Sequence, residues 1–355
     1  MTLNWIYTGD ALACLSEMEA HSVDCIITSP PYYGLRDYGV AGQLGQEKTP
    51  EEYIDRLVVV FREARRVLKD TGTLWVNIGD SYNGSGKGGA NYPENAKKYK
   101  QGTNRGSVES PIAPTHISNC KPKDLIGIPW MLAFALRADG WYLRQDIIWQ
   151  KPNCMPESVR DRCTKSHEHI FLLSKSRQYF FDGEAISEEC ADSSIKRYQQ
   201  NINQQKGSTR VPGKTNGNMK AALPRYGGQK YTEHPDLFYR TKSGSMNFPR
   251  PRRNKRDVWT VSTSGFKGAH FAVFPEKLIE PCVLAGCPTG GVVLDPFLGS
   301  GTTAAVAARL GRRFVGIEIN PDYVKIAESR LSTVMNKSNL LEVDSDGTDQ
   351  RRSHE

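Results

Sequence analysis

Two short clusters carry the residue types from which chemistry can be built. The first is Thr28-Ser29-Pro30-Pro31-Tyr32, placed directly after the apolar run Val23–Thr28. Two prolines behind a strand end its pairing and hold φ near −65°. They donate no backbone hydrogen bond, so their corner is rigid and rich in carbonyl acceptors. The Ser29 hydroxyl and the Pro30 carbonyl can then accept from both N–H bonds of one amine. Such acceptors suit an amine conjugated to a ring, whose lone pair must be localised before it can attack. Tyr32 adds an aromatic face for a planar ring, a contact worth roughly 1–3 kcal/mol. The plain alternative is a Ser-Pro-Pro-Tyr turn that merely ends a strand.

The second cluster is Asp295-Pro296-Phe297-Leu298-Gly299-Ser300-Gly301-Thr302-Thr303, entered from Val292–Leu294. Strand, Gly-rich turn and helix follow in order. Glycine lets backbone approach a ligand closely, and a helix start offers unpaired N–H groups. No Lys follows the second Gly, so this is no Walker A loop. Glu318 stands at the end of the next apolar run, about 20 residues on, where doubly wound folds hold ribose hydroxyls. Asp10, after Trp5–Tyr7, is a further acidic candidate, although its position alone favours an N-cap for Ala11–Met18.

The elements that must position these clusters are legible as periodicity. Seven β-rich runs occur: Trp5–Tyr7, Val23–Thr28, Thr73–Ile78, Gln145–Trp149, His169–Leu173, Val292–Leu294 and Phe314–Ile319. Between them, Glu51–Lys69 repeats apolar residues at helical spacing. Thr302–Leu310 and Asp322–Leu331 are further helices, the last behind Asn320-Pro321. Strands alternating with helices predict an α/β fold with a doubly wound, mainly parallel sheet. No internal repeat is visible.

Two regions break that rhythm. Residues 82–123 have no apolar period and read as a long loop. Residues 191–256 hold fifteen basic and three acidic residues, a local balance of +12 against +8 for all 355 residues, so the basic character is local. Such a segment suits a polyanion. The run Arg250, Arg252, Arg253, Lys255 and Arg256 is placed against nucleic-acid phosphates, with a plain solvated surface as the alternative. The tail after Met335 is polar and is expected to be disordered.

Other signals carry less. The eight cysteines form no Cys-x-x-Cys pair, so neither a zinc site nor a disulfide framework is expected. Cys282 sits in an apolar helical pattern and reads as packing. His167-Glu168-His169 lacks zinc-protease spacing, and no metal is expected. Gly84-Ser85-Gly86-Lys87 has neither the leading strand nor the following Ser or Thr of a phosphate loop. No run approaches the roughly 18 apolar residues of a membrane span, and the N-terminus carries no signal-peptide pattern. A cytoplasmic protein that binds no membrane is expected.

The two motifs together resemble the amino-methyltransferases of bacterial, archaeal and phage DNA modification, in the permuted β-class order with the catalytic motif first and the cofactor motif last. The resemblance covers roughly residues 1–184 and 257–332. It implies a seven-stranded, Rossmann-like S-adenosylmethionine-dependent fold with a catalytic domain of residues 1–184 and 257–335, a target-recognition region at 185–256 and a tail at 336–355. It implies that Ser29, Pro30, Pro31 and Tyr32 are catalytic. It places Asp10, Ala11, Phe271, Asp295, Phe297, Gly299, Ser300, Gly301, Thr302, Thr303 and Glu318 around S-adenosyl-L-methionine. The substrate it implies is double-stranded DNA with the target base flipped out. In this family Ser before Pro-Pro-Tyr usually accompanies cytosine-N4 methylation, and Asp or Asn adenine-N6 methylation. Cytosine-N4 is therefore preferred, with adenine-N6, RNA and protein as alternatives. A decayed, non-enzymatic DNA-binding scaffold sits badly with two intact motifs, and a dinucleotide oxidoreductase leaves Ser29–Tyr32 unexplained. A cognate restriction endonuclease is a possible partner; monomer and dimer both stay open.

Overall fold

The computed structural model describes residues 1–34, 40, 42–83, 120–193, 239–240, 246–247, 252–263 and 274–346, with side chains throughout except at 239–240, 246–247 and 336–346. Arg250, Phe271, Gly84–Lys87, most of the 82–123 loop and the chain after Asp346 lie outside the described residues. In chain order the elements are β1 (Trp5–Thr8), α1 (Ala11–Ser16), β2 (Val23–Thr28), α2 (Pro50–Val67), β3 (Leu68–Ile78), α3 (Ile128–Ala138), β4 (Tyr142–Gln150), β5 (His167–Ser174), β6 (Glu188–Glu189), β7 (Tyr239–Arg240), β8 (Met246–Asn247), β9 (Arg252–Arg253), β10 (Val258–Thr260), α4 (Glu276–Gly286), β11 (Val292–Asp295), α5 (Thr302–Arg309), β12 (Arg313–Glu318) and α6 (Pro321–Asp346). The chain forms two compact units, Met1–Asp182 with Arg256–Glu355, and Gly183–Lys255.

The larger unit is built on one sheet in the order β1-β12-β11-β2-β3-β5-β4-β10. The pairs from β1 through β3 are parallel, and β5 runs antiparallel to both β3 and β4. Strands covered on both faces read as near-continuous apolar runs. Accordingly β11 is buried throughout, and β2 is buried at every position but Asp24. From the β11–β2 pair the chain order proceeds outward in both directions, to β12 and to β3. That boundary is the topological switch point, outside which open α/β sheets bind ligands. Ser29 and Pro296 both begin there.

All seven expected strands are present. The eighth, β10, pairs in parallel with β4 through Val258↔Ile148 and Trp259↔Trp149. Three residues are too few for a period, so tertiary pairing alone reveals it. Helix α2 buries Tyr53, Ile54, Leu57, Val60, Phe61, Ala64 and Val67; Thr49 caps it, its Oγ1 accepting from Glu52 N at 3.2 Å. It stops two residues before the expected Lys69, because Leu68 turns extended and pairs with Val23. Helix α3 has no counterpart in the expectation, although Ile128, Leu132 and Leu136 lie four apart and are buried. The expected disordered tail from residue 336 is corrected in part. Helix α6 continues past Met335 to Asp346. No Pro or Gly interrupts residues 322–346, and Gly347 supplies the first breaker.

Among the described residues, no helix is long and apolar enough to cross a membrane.

Candidate active site

The two motifs, 267 residues apart in the chain, meet through their side chains. Thr28 Oγ1 donates to Asp295 Oδ1 at 2.6 Å across the β2–β11 boundary. Thr303 Oγ1 donates to Asp295 Oδ2 at 2.7 Å, and the Phe297 N–H donates to Oδ1 at 3.0 Å. Asp295 is 1 % exposed. Burial raises its carboxyl to about 6, against the opposing pull of the Thr28, Thr303 and Phe297 hydrogen bonds. One buried carboxylate thus ties the end of β2 to the loop between β11 and α5.

That loop turns at Gly299 and Gly301, both left-handed with φ of 55° and 82°. A Cβ at Gly301 would also lie 2.9 Å from the Ala327 methyl, so α6 packs against the bare backbone. Glu318, at the end of β12, accepts from the Gly299 N–H at 2.8 Å and the Asn320 N–H at 2.9 Å. Its burial raises the carboxyl above the ordinary range. Asp10 follows β1 beside it: Thr8 pairs with Glu318, and Gly9 N donates to the Glu318 carbonyl. Asp10 Oδ1 accepts from Ala13 N at 3.0 Å, so it does cap α1. Ala11 is buried in the first turn of that helix. Thr302 Oγ1 is taken by Arg330 of α6 at 2.9 Å.

Ser300 is 2 % exposed, and among the described residues its Oγ has no hydrogen-bond partner. An orphaned buried hydroxyl costs about 1–3 kcal/mol and calls for an explanation. A polar ligand seated on this loop would supply the missing partner. The orphan hydroxyl, the left-handed glycines and the acidic strand end together fit a ligand with polar groups of the adenosyl type.

On the other side of the boundary, the acceptor-rich corner needs one correction. The Pro31 carbonyl accepts from Tyr53 Oη at 2.7 Å, so one of the two proline carbonyls is already engaged. Among the described residues no donor reaches the Pro30 carbonyl. Tyr32 is half-buried. Its ring lies so close to Gly79 that a Cβ there would fall 2.7 Å from Cε2. Its hydroxyl lies 2.8 Å from Glu168 Oε2 and 3.3 Å from Asn77 Oδ1. Burial and the neighbouring Glu168 push the phenol well above its ordinary range. Lys151 forms an ion pair with Glu168 Oε1. Lys165 donates to the Asp80 carbonyl at 2.5 Å, and burial lowers its ammonium pKa. The Asp80 carboxylate receives Gly127 N and Ile128 N at the start of α3.

The sequence reading passed over Asn77, Gly79, Lys151 and Lys165, weighed Glu168 only within His167-Glu168-His169 as a metal motif, and used Thr28 only as part of a motif. The structure lengthens two expected strands toward them: Glu168 stands inside His167–Ser174, and Lys151 directly follows Tyr142–Gln150. His169 Nδ1 pairs with Asp146 Oδ1 at 3.0 Å. Among the described residues no cluster of three His, Cys, Asp or Glu side chains is placed to hold a metal. Cys282 is fully buried in α4.

The basic run is engaged within the smaller unit. Arg252 donates to Ser187 Oγ at 2.6 Å, while Arg253 and Lys255 both pair with Glu188 at 3.4 Å across the β6–β9 ladder. These three residues therefore hold a two-stranded antiparallel ladder. Arg252 and Arg256 are exposed.

Comparison with known proteins agrees with this geometry. The family model for N6/N4 methyltransferases, described as DNA methylase, matches residues 23–329. The Type II methyltransferase M.Cfr9I of Citrobacter freundii is 45% identical over 92% of this chain and 87% of its own length. M.SmaI of Serratia marcescens is 43% identical over 92% of this chain and 90% of its own length. Among solved structures, the PvuII DNA methyltransferase, titled cytosine-N4-specific, covers 94% of this chain and 90% of its own at 18% identity with a TM-score of 0.55. The Thermus thermophilus protein TTHA0409, solved with S-adenosyl-L-methionine, covers 93% of both chains at 22% identity with a TM-score of 0.52; these two likenesses bear on the fold. With both motifs meeting at one switch point, the chain belongs to the N6/N4 DNA methylase family, and its cofactor is S-adenosylmethionine.

Proposed function

We propose that this enzyme is a site-specific, Type II DNA methyltransferase acting on the exocyclic N4 amine of a flipped-out cytosine. The observation that carries the choice of base is Ser29, a hydroxyl rather than a carboxylate or amide, directly before Pro30-Pro31-Tyr32 at the end of β2. S-adenosylmethionine supplies an activated methyl group. Around it, Asp295, Phe297, Gly299, Ser300, Gly301 and Thr303 would form the loop wall. Glu318 would take the ribose hydroxyls, and Asp10 and Ala11 would line the adenine side. Thr302 is better read as a support, because Arg330 already holds its hydroxyl. Ser29 Oγ and the Pro30 carbonyl accept from the two amine N–H bonds, and Tyr32 forms the wall against the base. Residues 185–256 serve as the target-recognition region, with Arg252 and Arg256 toward phosphates. The Type II names of the relatives favour a cognate restriction endonuclease as companion.

The test is to incubate the protein and genomic DNA with isotopically labelled S-adenosylmethionine and to identify the labelled nucleoside by mass spectrometry. Labelled 4-methylcytosine is expected. Labelled 6-methyladenine would keep the reaction class and overturn the base. Label confined to RNA or protein would overturn the substrate.

Gly79 tests the Tyr32 wall. Gly79→Ala places a methyl 2.7 Å from the Tyr32 ring and must displace the ring. A misplacement of about 1 Å costs on the order of 10²-fold in rate. The expected result is that loss in single-turnover methylation with cofactor affinity retained. An unchanged rate would show that the Tyr32 ring position does not matter.

A further inference from the structure

Three helices meet behind the Gly299–Thr303 loop at one guanidinium. Arg330 of α6 donates through Nη1 to Thr302 Oγ1 at 2.9 Å and, more weakly, to the Ser300 carbonyl at 3.5 Å. Its Nη2 donates to Glu276 Oε1, at the start of α4, at 2.6 Å. The other Glu276 oxygen accepts from Arg309, in the last turn of α5, at 2.8 Å. Three residues before Arg330, on the same face of α6, Ala327 packs against the bare Gly301 backbone. Ser300 and Thr302 are buried, and the Arg330 side chain is only 19% exposed.

The loop needs such a support. Gly299 and Gly301 are both left-handed, and glycine loses more freedom on ordering than any other residue. Gly301 is also the N-cap of α5 and has no side chain with which to close that helix. Asp295 holds the loop through Phe297 N and Thr303 Oγ1, and Glu318 holds it through Gly299 N. Arg330 bonds the residues on either side of Gly301. Charge does not explain its place there, because a cation beside a helix N-terminus runs against the helix dipole. Nor does the ion pair by itself, because Glu276 is 37% exposed and such pairs add little to stability. What a guanidinium supplies is direction: its planar fork fixes the angle between the Glu276 bond and the Thr302 bond. Glu276 offsets the charge and aims the fork.

We propose that Arg330 is a positioning residue for S-adenosylmethionine, holding Ser300–Thr302 in the binding-ready form before the cofactor arrives. This rests on the reading of Gly299–Thr303 as a wall of the cofactor site and extends it to a residue outside both motifs. Arg330 acts through Thr302 and Ser300 and not on the cofactor itself. It sets the fraction of molecules whose loop is ready, and apparent affinity falls in proportion to that fraction.

The test titrates the full-length protein with S-adenosylmethionine by calorimetry, comparing Arg330→Met, Thr302→Val and the double variant. Methionine keeps an apolar stem and removes the donors. A rise of about ten-fold in Kd is expected for Arg330→Met, the factor for a loop that is ready in about one molecule in ten. Hydrogen exchange of the 299–303 amides should quicken in the cofactor-free variant and return to wild-type protection at saturating cofactor. The methylation rate at saturating cofactor should stay within about two-fold of wild type while KM for the cofactor rises, a division that general weakening of the fold would not produce. The double variant should bind no more weakly than Arg330→Met alone, because Thr302 is the main link through which Arg330 acts. An unchanged Kd for Arg330→Met overturns the proposal. So do losses that multiply in the double variant, and so does unaltered exchange at 299–303. If Arg330→Met does not fold, Arg330→Lys replaces it with the same expectations, because lysine keeps the charge opposite Glu276 and lacks the fork. A wild type that binds S-adenosylmethionine without added protection at 299–303 overturns the reading of the cofactor wall and this proposal with it. A wild type protected there, beside an Arg330→Met of equal affinity, overturns this proposal alone.

Discussion

Ser29→Ala is expected to slow single-turnover methyl transfer by two to three orders of magnitude while cofactor binding persists. In the proposed reaction Ser29 is one of two acceptors at the switch-point corner, and the other candidate neighbour, the Pro31 carbonyl, is occupied by Tyr53. Alanine leaves the Pro30 carbonyl alone to orient an amine whose lone pair is otherwise delocalised. Removing one preorganised polar group from an active site costs about 10²–10³ in rate. The fold should tolerate the change. Ser29 is half-buried, so removing its hydroxyl leaves the packing of the corner in place. The measurements are quench-flow methylation and thermal unfolding of both proteins. A variant within about three-fold of the wild-type rate would remove Ser29 from the mechanism.

Asp295→Asn is expected to weaken cofactor binding by at least about ten-fold, roughly 1.4 kcal/mol, and to change stability in a pH-dependent direction. Asp295 positions the cofactor loop through Phe297 N and Thr303 Oγ1, and Thr28 of the catalytic strand through a 2.6 Å bond. An amide has one accepting oxygen where the carboxylate has two, so these three donors cannot all be satisfied as before. The loop should relax, and the negative charge that complements a sulfonium is lost.

The stability effect follows from the same burial. The folded carboxyl sits near 6, against 3.8 as its ordinary value. Between those pH values the folded protein holds a proton that the unfolded chain has released. The stability of the wild type therefore falls as pH rises from about 4 to 6, and the contribution is constant above that. Asn has no such titration. The stability of the variant relative to wild type should thus rise by about 2 kcal/mol between pH 4 and pH 7. Urea unfolding at both pH values measures it. A difference that is flat with pH, or that favours the wild type more strongly at pH 7, would refute the raised carboxyl. Isothermal titration with S-adenosylmethionine measures the affinity, and an unchanged value would detach Asp295 from the cofactor loop.

Much of this site is local, and local features are legible in one dimension. The two motifs are continuous stretches whose glycines, prolines and acidic residue act within a single turn. Strands such as Val292–Asp295 announce themselves because both faces are covered, and α2 because one face is. The amino-acid sequence by itself therefore determined the fold class, both motifs and the cofactor they serve. Other features depend on neighbours far along the chain. Three-residue β10 exists as a strand only because Ile148 and Trp149 offer an open edge. The Pro31 carbonyl looks free until Tyr53, from α2, reaches it. Arg253 and Lys255 look like an uncommitted basic run until Glu188 pairs with both. Asp295 reads as a ligand of the cofactor alone until Thr28 is found bonded to it, and Glu168 reads as part of a metal motif with the wrong spacing until Lys151 and Tyr32 close on it. Tertiary structure alone decided these, because hydrogen-bond partners, burial and the resulting charge states are properties of the space around a side chain, and chain spacing carries no record of which distant strand will fill it.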